Sequence, residues 1–385
     1  MNRKVRVAVI MESTLGGTRK HIVDLLCNIS LEQVDLTFIY SKQRADLLFG
    51  EGLKKIQQRG IHCVEVEMNK KLFSATNRKA VASIRNYLKE NQIEVVHVQS
   101  GIAGFLGRVA AWGLPSVRKI YYSPHGGSLH LMSGLKGIPV KWMEKLLVFK
   151  NVELVAVSLY EKNRIGTMLG IQPDKIHCVY NGIEFVNGKA TAPRTELLAR
   201  LEIDTAKNPL IVLIPAVLLP AKGHVHFFTE AVKHAGLSNQ NIFFLLAGDG
   251  PEEEHIRAVI KDSPLAERVK FLGFQKNIAQ WFNCCDLVLL PSLNEAFGYV
   301  VLEAFLHEKP VLATRVGALP ELIQHGLNGL LFDLDKLNLL LDDIVEFSSK
   351  RDSLSGLVRN ASELVSSKFS IQQMVDKTAN LYVSA

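Results

Sequence analysis

The chain alternates twice between short apolar runs and longer amphipathic stretches, and the second alternation starts after a polar break. The first series contains "VRVAVIM" (5–11), "VDLTFIY" (34–40), "CVEVEM" (63–68), "VVHVQS" (95–100), "KIYYSP" (119–124) and "LVAVS" (154–158). Each has the length and composition of a strand, and stretches such as "RKHIVDLLCNI" (19–29) and "RKAVASIRNYLKEN" (78–91) between them read as helices. This rhythm predicts a parallel sheet wrapped by helices. It restarts at residue 209 with "LIVLIPAV", "HVHFFTEAVKHA" (224–235), "IFFLLAG" (242–248), "VKFLGF" (269–274), "DLVLLPS" (286–292) and "PVLATR" (310–315). The intervening "NGKATAPRTELLARLEIDTAKNP" (187–209) is polar and carries Gly, Pro and Thr, as linkers do. The expected fold class is therefore α/β with two doubly wound domains, 1–186 and 209–385, joined by a linker over 187–208. Sheets of this kind bind ligands beyond the carboxyl ends of their strands. Two such domains facing one another would enclose a cleft suited to a small molecule.

A length of 385 residues agrees with two domains, and 48% hydrophobic against 22% charged residues excludes the disordered and collagen-like classes. The basic N-terminus "MNRKVRVAVIMEST" has an apolar run broken by Arg6 and ended by Glu12, which suits a strand better than a secretory leader. The longest apolar run, "PLIVLIPAVLLP" (209–220), falls short of the ~20 residues that span a bilayer. Five cysteines occur without a CxxC pair, and the adjacent Cys284 and Cys285 have no metal-ligand spacing. All five read as reduced thiols of a cytoplasmic protein. The net charge of +7 is uneven: residues 1–185 hold 26 Lys+Arg against 15 Asp+Glu, and residues 186–385 hold 19 against 23. An anionic partner for the first half, or simply a solvated lysine-rich face, accounts for that excess.

Several short motifs sit where loops follow predicted strands. Gly16 and Gly17 lie between the first strand and the first helix, where bare backbone N–H groups suit a phosphate and where a plain turn also favours glycine. Lys222 and Gly223 occupy the corresponding place in the second half, and a lysine there can meet a phosphate as a point charge or stay solvated. His125, in "YYSPHGG" (121–127), follows a strand end beside two glycines and can serve as acid, base or hydrogen-bonding group. "GDG" (248–250) lacks the third glycine of a dinucleotide fingerprint, and no G-x-x-x-x-G-K-[ST] loop occurs. "DLD" (333–335) shows no third ligand, so no metal site is expected there.

The most informative stretch is "NEAFGYVVLEAF" (294–305), which places Glu295 and Glu303 eight apart in an otherwise apolar segment. Carboxylates are seldom buried without a partner. A loop through Gly298 into a helix puts Glu295 before the helix and Glu303 on it. Eight helical residues rise ~12 Å, about the reach of a ribose–diphosphate–sugar unit, and the helix start offers N–H groups to the diphosphate. One capping and one surface glutamate would give the same spacing.

Taken together, these motifs resemble the retaining glycosyltransferases of family 4, which have the two-domain Rossmann-like GT-B architecture. The resemblance spans nearly the whole chain and rests on an ordered set: "GGTRKH", "HG" (125–126), "VS" (157–158), "NGI" (181–183), "KG" (222–223), "GDGPEEE" (248–254), "FLGF" (271–274) and E-x7-E (295–303). It implies that Glu303 binds ribose hydroxyls and Glu295 the donor sugar. It implies backbone contacts from Phe297 and Gly298 to sugar and phosphate, and a donor contact at Gly248. Lys222 would stabilise the leaving diphosphate, with Gly16 and Gly17 approaching from the other domain, and His125 would contact the sugar or that phosphate. Leu272 and Gly273 would hold the base. The last helix, about 369–385, would pack back on the first domain. No metal or other cofactor is implied, because Lys222 and helix-end N–H groups serve in place of a cation. The partners implied are a nucleotide-sugar, most commonly a UDP-sugar, and a saccharide or lipid-linked saccharide acceptor used in cell-surface polysaccharide or lipopolysaccharide synthesis. No nucleic acid is implied.

One departure stands out. Where the family carries G-R-L-x-x-x-K-G, this chain has "AVLLPAKG" (216–223), with Val217 in the place of an arginine. Arg19 and Arg315 are candidate replacements for that cation. The alternative reading is a nucleotide-sugar-binding protein of the same fold with weak or no transfer. A sugar-nucleotide epimerase is disfavoured by the E-x7-E segment, and a phosphorylase by the absence of a cofactor-lysine motif. "NKKLFSATNRKA" (69–80) and "IPVKWMEKLLVFK" (138–150) mix Lys with aromatic and aliphatic residues, as helices lying on the inner face of a plasma membrane do, and as core helices with snorkelling lysines also do.

Overall fold

The computed structural model describes residues 3–127, 137–149, 151–184, 192–238, 240–351 and 355–385. The chain divides into two compact units, Met1–Gly182 with Phe369–Ala385, and Ile183–Lys368.

The first unit contains β1 (Val5–Thr14), β2 (Val34–Ala45), β3 (His62–Glu65), β4 (Val95–Gln99), β5 (Lys119–Ser123), β6 (Val152–Ala156) and β7 (Ile176–Cys178). They form one parallel sheet in the order β3-β2-β1-β4-β5-β6-β7. β1 explains why the sequence shows an unbroken apolar run rather than alternation. Val7, Val9 and Met11 enter the core on one face while Ala8 and Ile10 enter the core on the other, all fully buried. The strand order reverses between β1 and β4, so the loops leaving those two strands diverge and leave space at their carboxyl ends. The helix Ile371–Val383 closes one face by packing on the helix Gly16–Asn28 and on β1 and β2. Its start is fixed by Ser370, whose Oγ accepts from Gln373 N, and by Gly182, where a Cβ would lie 2.6 Å from Ile371 Cα.

The second unit contains β8 (Leu210–Ile214), β9 (Ile242–Ala247), β10 (Val269–Gly273), β11 (Leu287–Leu290), β12 (Val311–Thr314) and β13 (Leu330–Phe332). Their order, β10-β9-β8-β11-β12-β13, is again parallel and reverses between β8 and β11. Phe227, Phe228 and Phe244 fill its core in mutual edge-to-face contacts.

The stretch expected as a linker, 187–208, differs from that expectation. Residues 187–191 lie outside the described ones, but Arg194–Ala199 is a short helix of the second unit. Leu197 and Leu198 are buried, and Arg194 forms two 2.8 Å bonds to the carboxylate of Asp286, which also accepts from Ile211 N at 2.7 Å. A bidentate ion pair, two leucines and the buried Ile203 tie down this segment.

Candidate functional site

In the second unit the motif residues gather beyond the carboxyl ends of β8 and β11, the two strands that flank the reversal. The loop after β8 carries Lys222 and the loop after β11 carries Glu295. They are stitched together by Leu293 N and Asn294 N, which donate to Ala221 O at 2.9 and 3.2 Å. Gly223 makes this approach feasible: its φ is +71°, and a Cβ there would meet Pro291 O at 2.0 Å. The outcome is an ion pair between Lys222 Nζ and Glu295 Oε2 at 2.6 Å, with side chains 28% and 14% exposed. The backbone of Glu295 is pinned from behind. Its carbonyl accepts from Ala318 N at 2.9 Å, and a Cβ on Gly317 would lie 2.0 Å from it.

Gly298, at φ +107°, turns the chain into the helix Tyr299–Leu306. Val301, Leu302, Ala304 and Phe305 are buried, and Glu303 is half-buried on the same helix. Only part of the E-x7-E segment is helical, so the span expected for eight helical residues does not apply. From Tyr299 to Glu303 the rise is ~6 Å. Phe297 is buried against Tyr299.

The loop after β9 lies against the loop after β8 through two glycines. A Cβ on Gly248 would sit 2.1 Å from Ala216 O, and one on Gly250 would sit 2.5 Å from Leu218 O. Gly248 also bridges to Gly273, which follows β10 in a left-handed conformation (φ +62°). The carbonyl of Leu272 accepts from Gln275 Nε2 at 2.5 Å, and Trp281 Nε1 holds Gln275 Oε1 at 2.7 Å. A base held by this backbone therefore shares it with Gln275.

Val217 is 37% exposed, and the two arginines considered as its replacements are each paired with a carboxylate. Arg315 pairs with Asp333 at 3.2 Å, and Arg19, in the first unit, pairs with Asp46 at 2.8 Å. Asp333 also meets Lys336. Among the described residues no group of three His, Cys, Asp or Glu side chains is placed to hold a metal ion. One residue that motif reasoning passed over is His224, directly after Gly223. It is buried, neither ring nitrogen has a partner among the described residues, and burial with the nearby Lys222 charge lowers it to about 4. Its place next to "KG" was a signal in plain view.

In the first unit, Gly16 adopts φ +53° at the start of the helix Gly16–Asn28, and Gly17 is exposed in its first turn. The N–H of Gly16, expected to be open to a phosphate, donates to Asp46 Oδ2 at 2.8 Å. The same oxygen accepts from Arg19 Nε, so the helix start is already answered by a carboxylate.

His125 follows β5 with φ +53°, an uncommon conformation for a side chain of its size. The structure holds the turn from two sides. Gly126 N donates to Glu161 Oε1 at 2.5 Å, while Val157 N donates to Glu161 Oε2 at 2.9 Å. Ser158 Oγ in turn caps the helix Leu159–Leu169 by accepting from Glu161 N at 3.1 Å. Burial raises the Glu161 carboxyl to about 7, against the opposing effect of the Val157 and Gly126 N–H groups. Glu161 was legible as the end of an S-x-x-E helix-capping pattern at 158–161, and went unread.

On the other side, His125 Nε2 bonds to Gln99 Oε1, and the His21 ring meets His125 edge-on at 4.7 Å. Burial, and then the neighbouring His21 and His97, hold His125 well below the ordinary imidazole value. His21 is lowered to about 4 by burial, with Asn181 acting in the opposite sense. The histidines of this cluster are therefore neutral rings near pH 7 that offer hydrogen bonds rather than charge.

Deeper at the reversal point, Glu12 is buried and accepts from Arg44 Nη1 at 3.1 Å, from Ala103 N at 2.9 Å and from the Ser100 hydroxyl. It neutralises the start of the helix Gly101–Ala111 from within. Among the described residues no helix is long and apolar enough to cross a membrane.

Comparison with known proteins agrees with this arrangement. The family described as Glycosyltransferase Family 4 matches residues 15–185, and the one described as Glycosyl transferases group 1 matches residues 209–349. The UDP-Gal:alpha-D-GlcNAc-diphosphoundecaprenol alpha-1,3-galactosyltransferase of Escherichia coli is 24% identical over 79% of this chain and 79% of its own length. An uncharacterised 41.2 kDa protein from the cps region of Klebsiella pneumoniae is 26% identical over 85% of this chain and 90% of its own. In fold, the Anabaena HepE protein, solved with UDP-glucose, superposes with a TM-score of 0.81 at 22% identity, covering 99% of this chain and 100% of that one. The two parallel sheets with alternating helices are the GT-B arrangement, and with both halves matched in order, the chain belongs to the glycosyltransferases, a Family 4 segment followed by a group 1 segment.

Proposed function

We propose that this glycosyltransferase moves a hexosyl group from a UDP-sugar to a hydroxyl of a lipid-linked saccharide, with retained anomeric configuration, during cell-surface polysaccharide or lipopolysaccharide assembly. The single observation that carries the reading is the Lys222–Glu295 ion pair beyond β8 and β11, beside the helix that starts at Gly298. A cation, a carboxylate and a helix start placed together match a diphosphate joined to a sugar. The E. coli relative's use of UDP-Gal and a diphosphoundecaprenol-linked acceptor supports the substrate class.

In this mechanism the bond between the anomeric carbon and the β-phosphate oxygen breaks, and both of its electrons leave with UDP. The acceptor oxygen bonds to the anomeric carbon on the same face, and its proton passes to the departing phosphate. Lys222 swings from Glu295 to that phosphate and supplies the charge a metal supplies elsewhere. Glu295, released, accepts hydrogen bonds from the sugar, while Glu303 binds ribose hydroxyls. Gly248, Leu272 and Gly273 line the nucleoside, and Phe297 and Gly298 offer backbone N–H groups.

The reading places the protein in the cytoplasm, resting on the inner membrane face through the helix Ile138–Leu146. Ile138, Trp142 and Leu146 are 47%, 63% and 72% exposed at i, i+4 and i+8, flanked by Lys141 and Lys145. Trp142→Ser with Leu146→Ser is expected to reduce cosedimentation with phosphatidylglycerol vesicles about tenfold, and unchanged sedimentation would remove the membrane from the reading.

Val217 and the closed Lys222–Glu295 pair favour a second reading, a protein that binds nucleotide-sugars and turns them over weakly or not at all. The two separate on one experiment: nucleotide release from UDP-, GDP- and ADP-sugars, with and without membrane lipid extract. Donor consumption that depends on the extract supports transfer. UDP binding without consumption of any donor leaves only the second reading.

A further inference from the structure

The second unit holds a cavity at the end of its sheet opposite Lys222 and Glu295. It measures about 260 Å³, against the ~30 Å³ share of one water, and lies at the amino ends of β8, β11 and β12. All the residues that line it belong to this one unit. The length of β8, ~13 Å from Leu210 to Ile214, separates it from the loop that leads to Lys222.

Charge on its wall does not balance. Arg194, Lys309 and Arg351 meet Asp286 and Glu308 there, which leaves one positive charge over. Burial pushes the neighbouring Cys285 thiol up to about 12, so it adds no negative charge near pH 7.

Hydrogen bonding is uneven in the same sense. A carboxylate offers about four lone-pair sites. At Asp286, Arg194 takes two at 2.8 Å, Ile211 N takes one at 2.7 Å, and Arg351 Nη1 approaches at 3.4 Å. The cations, by contrast, keep donors in reserve. Of the three N–H groups on Lys309 Nζ, one meets a partner among the described residues, Cys285 O at 2.9 Å. Arg351 Nη2 donates to Asn208 O at 2.7 Å, while its Nε is enclosed without a partner among the described residues. Such a bare N–H is costly, and an acceptor seated beside the guanidinium would relieve it once the side chain turns toward it. A wall with spare donors and a saturated acceptor calls for an acceptor from outside. Much of the remaining lining is apolar: Leu210, Leu287, Pro310, Phe347 and Val358.

We propose that this cavity is a binding site for a small organic monoanion, a carboxylate on a short apolar chain, with Lys309 and Arg351 holding the carboxylate and Phe347 and Val358 covering the chain. One surplus positive charge suits a monoanion better than a phosphate dianion, and the apolar wall gains from every methylene it covers. The site stands apart from the transferase reading, because none of its residues belongs to the Lys222–Glu295 group.

Calorimetric titration of the full chain at pH 7 and constant ionic strength tests it, with sodium hexanoate, sodium acetate, inorganic phosphate and uncharged hexanamide as probes. Hexanoate is expected to bind saturably, one per chain, and at least tenfold more tightly than acetate or hexanamide. Lys309→Gln should weaken hexanoate about tenfold, and Val358→Glu, which adds a carboxylate to the wall, should abolish its binding. Lys222→Ala should leave hexanoate affinity within twofold. Absence of saturable binding, hexanamide binding as well as hexanoate, or unchanged affinity in Lys309→Gln overturns the site. Acetate or phosphate binding as tightly as hexanoate overturns the apolar-chain assignment. A loss of affinity in Lys222→Ala would put the acid at the other end of the sheet and overturn it too. Should Val358→Glu fail to fold, Lys309→Gln decides alone.

Discussion

The two sheets reverse their strand order in the same way, at β1/β4 in the first unit and β8/β11 in the second, yet they fill that point with opposite chemistry. At β8/β11 the groups are a charged pair, Lys222 and Glu295, partly exposed and able to exchange partners. At β1/β4 the charge is sealed: Glu12 is 1% exposed and occupied by Arg44, Ser100 and Ala103 N. Above it stand neutral histidines. A shared topology does not dictate polarity. The second unit places a cation beside a carboxylate at that point, whereas the first places a sealed carboxylate and neutral imidazoles there.

Breaking that contrast should cost most at Lys222. Lys222→Ala is expected to lower kcat about 10²–10³-fold, the scale of losing one group that stabilises developing charge. UDP affinity should change less than about fivefold, because the lysine reaches the phosphate fully only as the bond breaks. Next comes Glu303→Ala, expected to weaken UDP about tenfold in calorimetry with kcat within threefold, as befits a carboxylate accepting from hydroxyls. Equal, small effects from both variants would erase the assignment of roles.

Acid should discriminate between kinds of group. Burial lowers His21 to about 4 and His97 to about 3, from 6.5, and pushes His125 in the same direction. The unfolded chain therefore binds more protons than the folded one below pH 6.5, so stability falls as pH drops from about 6.5 toward 4. Glu161 acts with the opposite sign. Its carboxyl is raised from 4.5 to about 7, so its contribution is fully present below 4.5 and is lost as pH rises through about 7. With three histidines against one glutamate in this unit, melting temperature is expected to fall between pH 6.5 and 4, and His97→Gln should flatten that slope. A wild-type melting temperature that rises over this interval would contradict the neutral-histidine account.

The smallest effect is expected from Val217→Arg. The site is 37% exposed. A cation restored beside the Lys222 loop should raise kcat/KM about threefold to tenfold, as one charge-assisted phosphate contact would. No gain would mean that the second unit's charge is already sufficient without it.

What the sequence disclosed follows from the range of each signal. Apolar runs located eleven of the thirteen strands among the described residues, most clearly where burial on both faces leaves a local mark, as in β1, β4 and β8. β7 and β13 were overlooked: each has three residues, "IHC" and "LLF", too few to show a period. Arg194–Ala199 read as linker because its anchor, Asp286, lies far along the chain. The roles of Lys222 and Glu295 came from motif order, but their pairing depends on β8 lying beside β11. The link from His97 to Tyr382 spans 285 positions and leaves no local trace. Glu161 was the opposite case, a short-range pattern that was present and overlooked.

The final helix has a consequence for how the protein is made. Ile371–Val383 lies on β1, β2 and the first helix, with Tyr382 wholly enclosed. The unit whose synthesis starts first therefore cannot be completed until all of Ile183–Lys368 has left the ribosome. Until then Val9, Met11 and their neighbours wait for their cover, while the second unit has every one of its strands in hand and can fold ahead of the first.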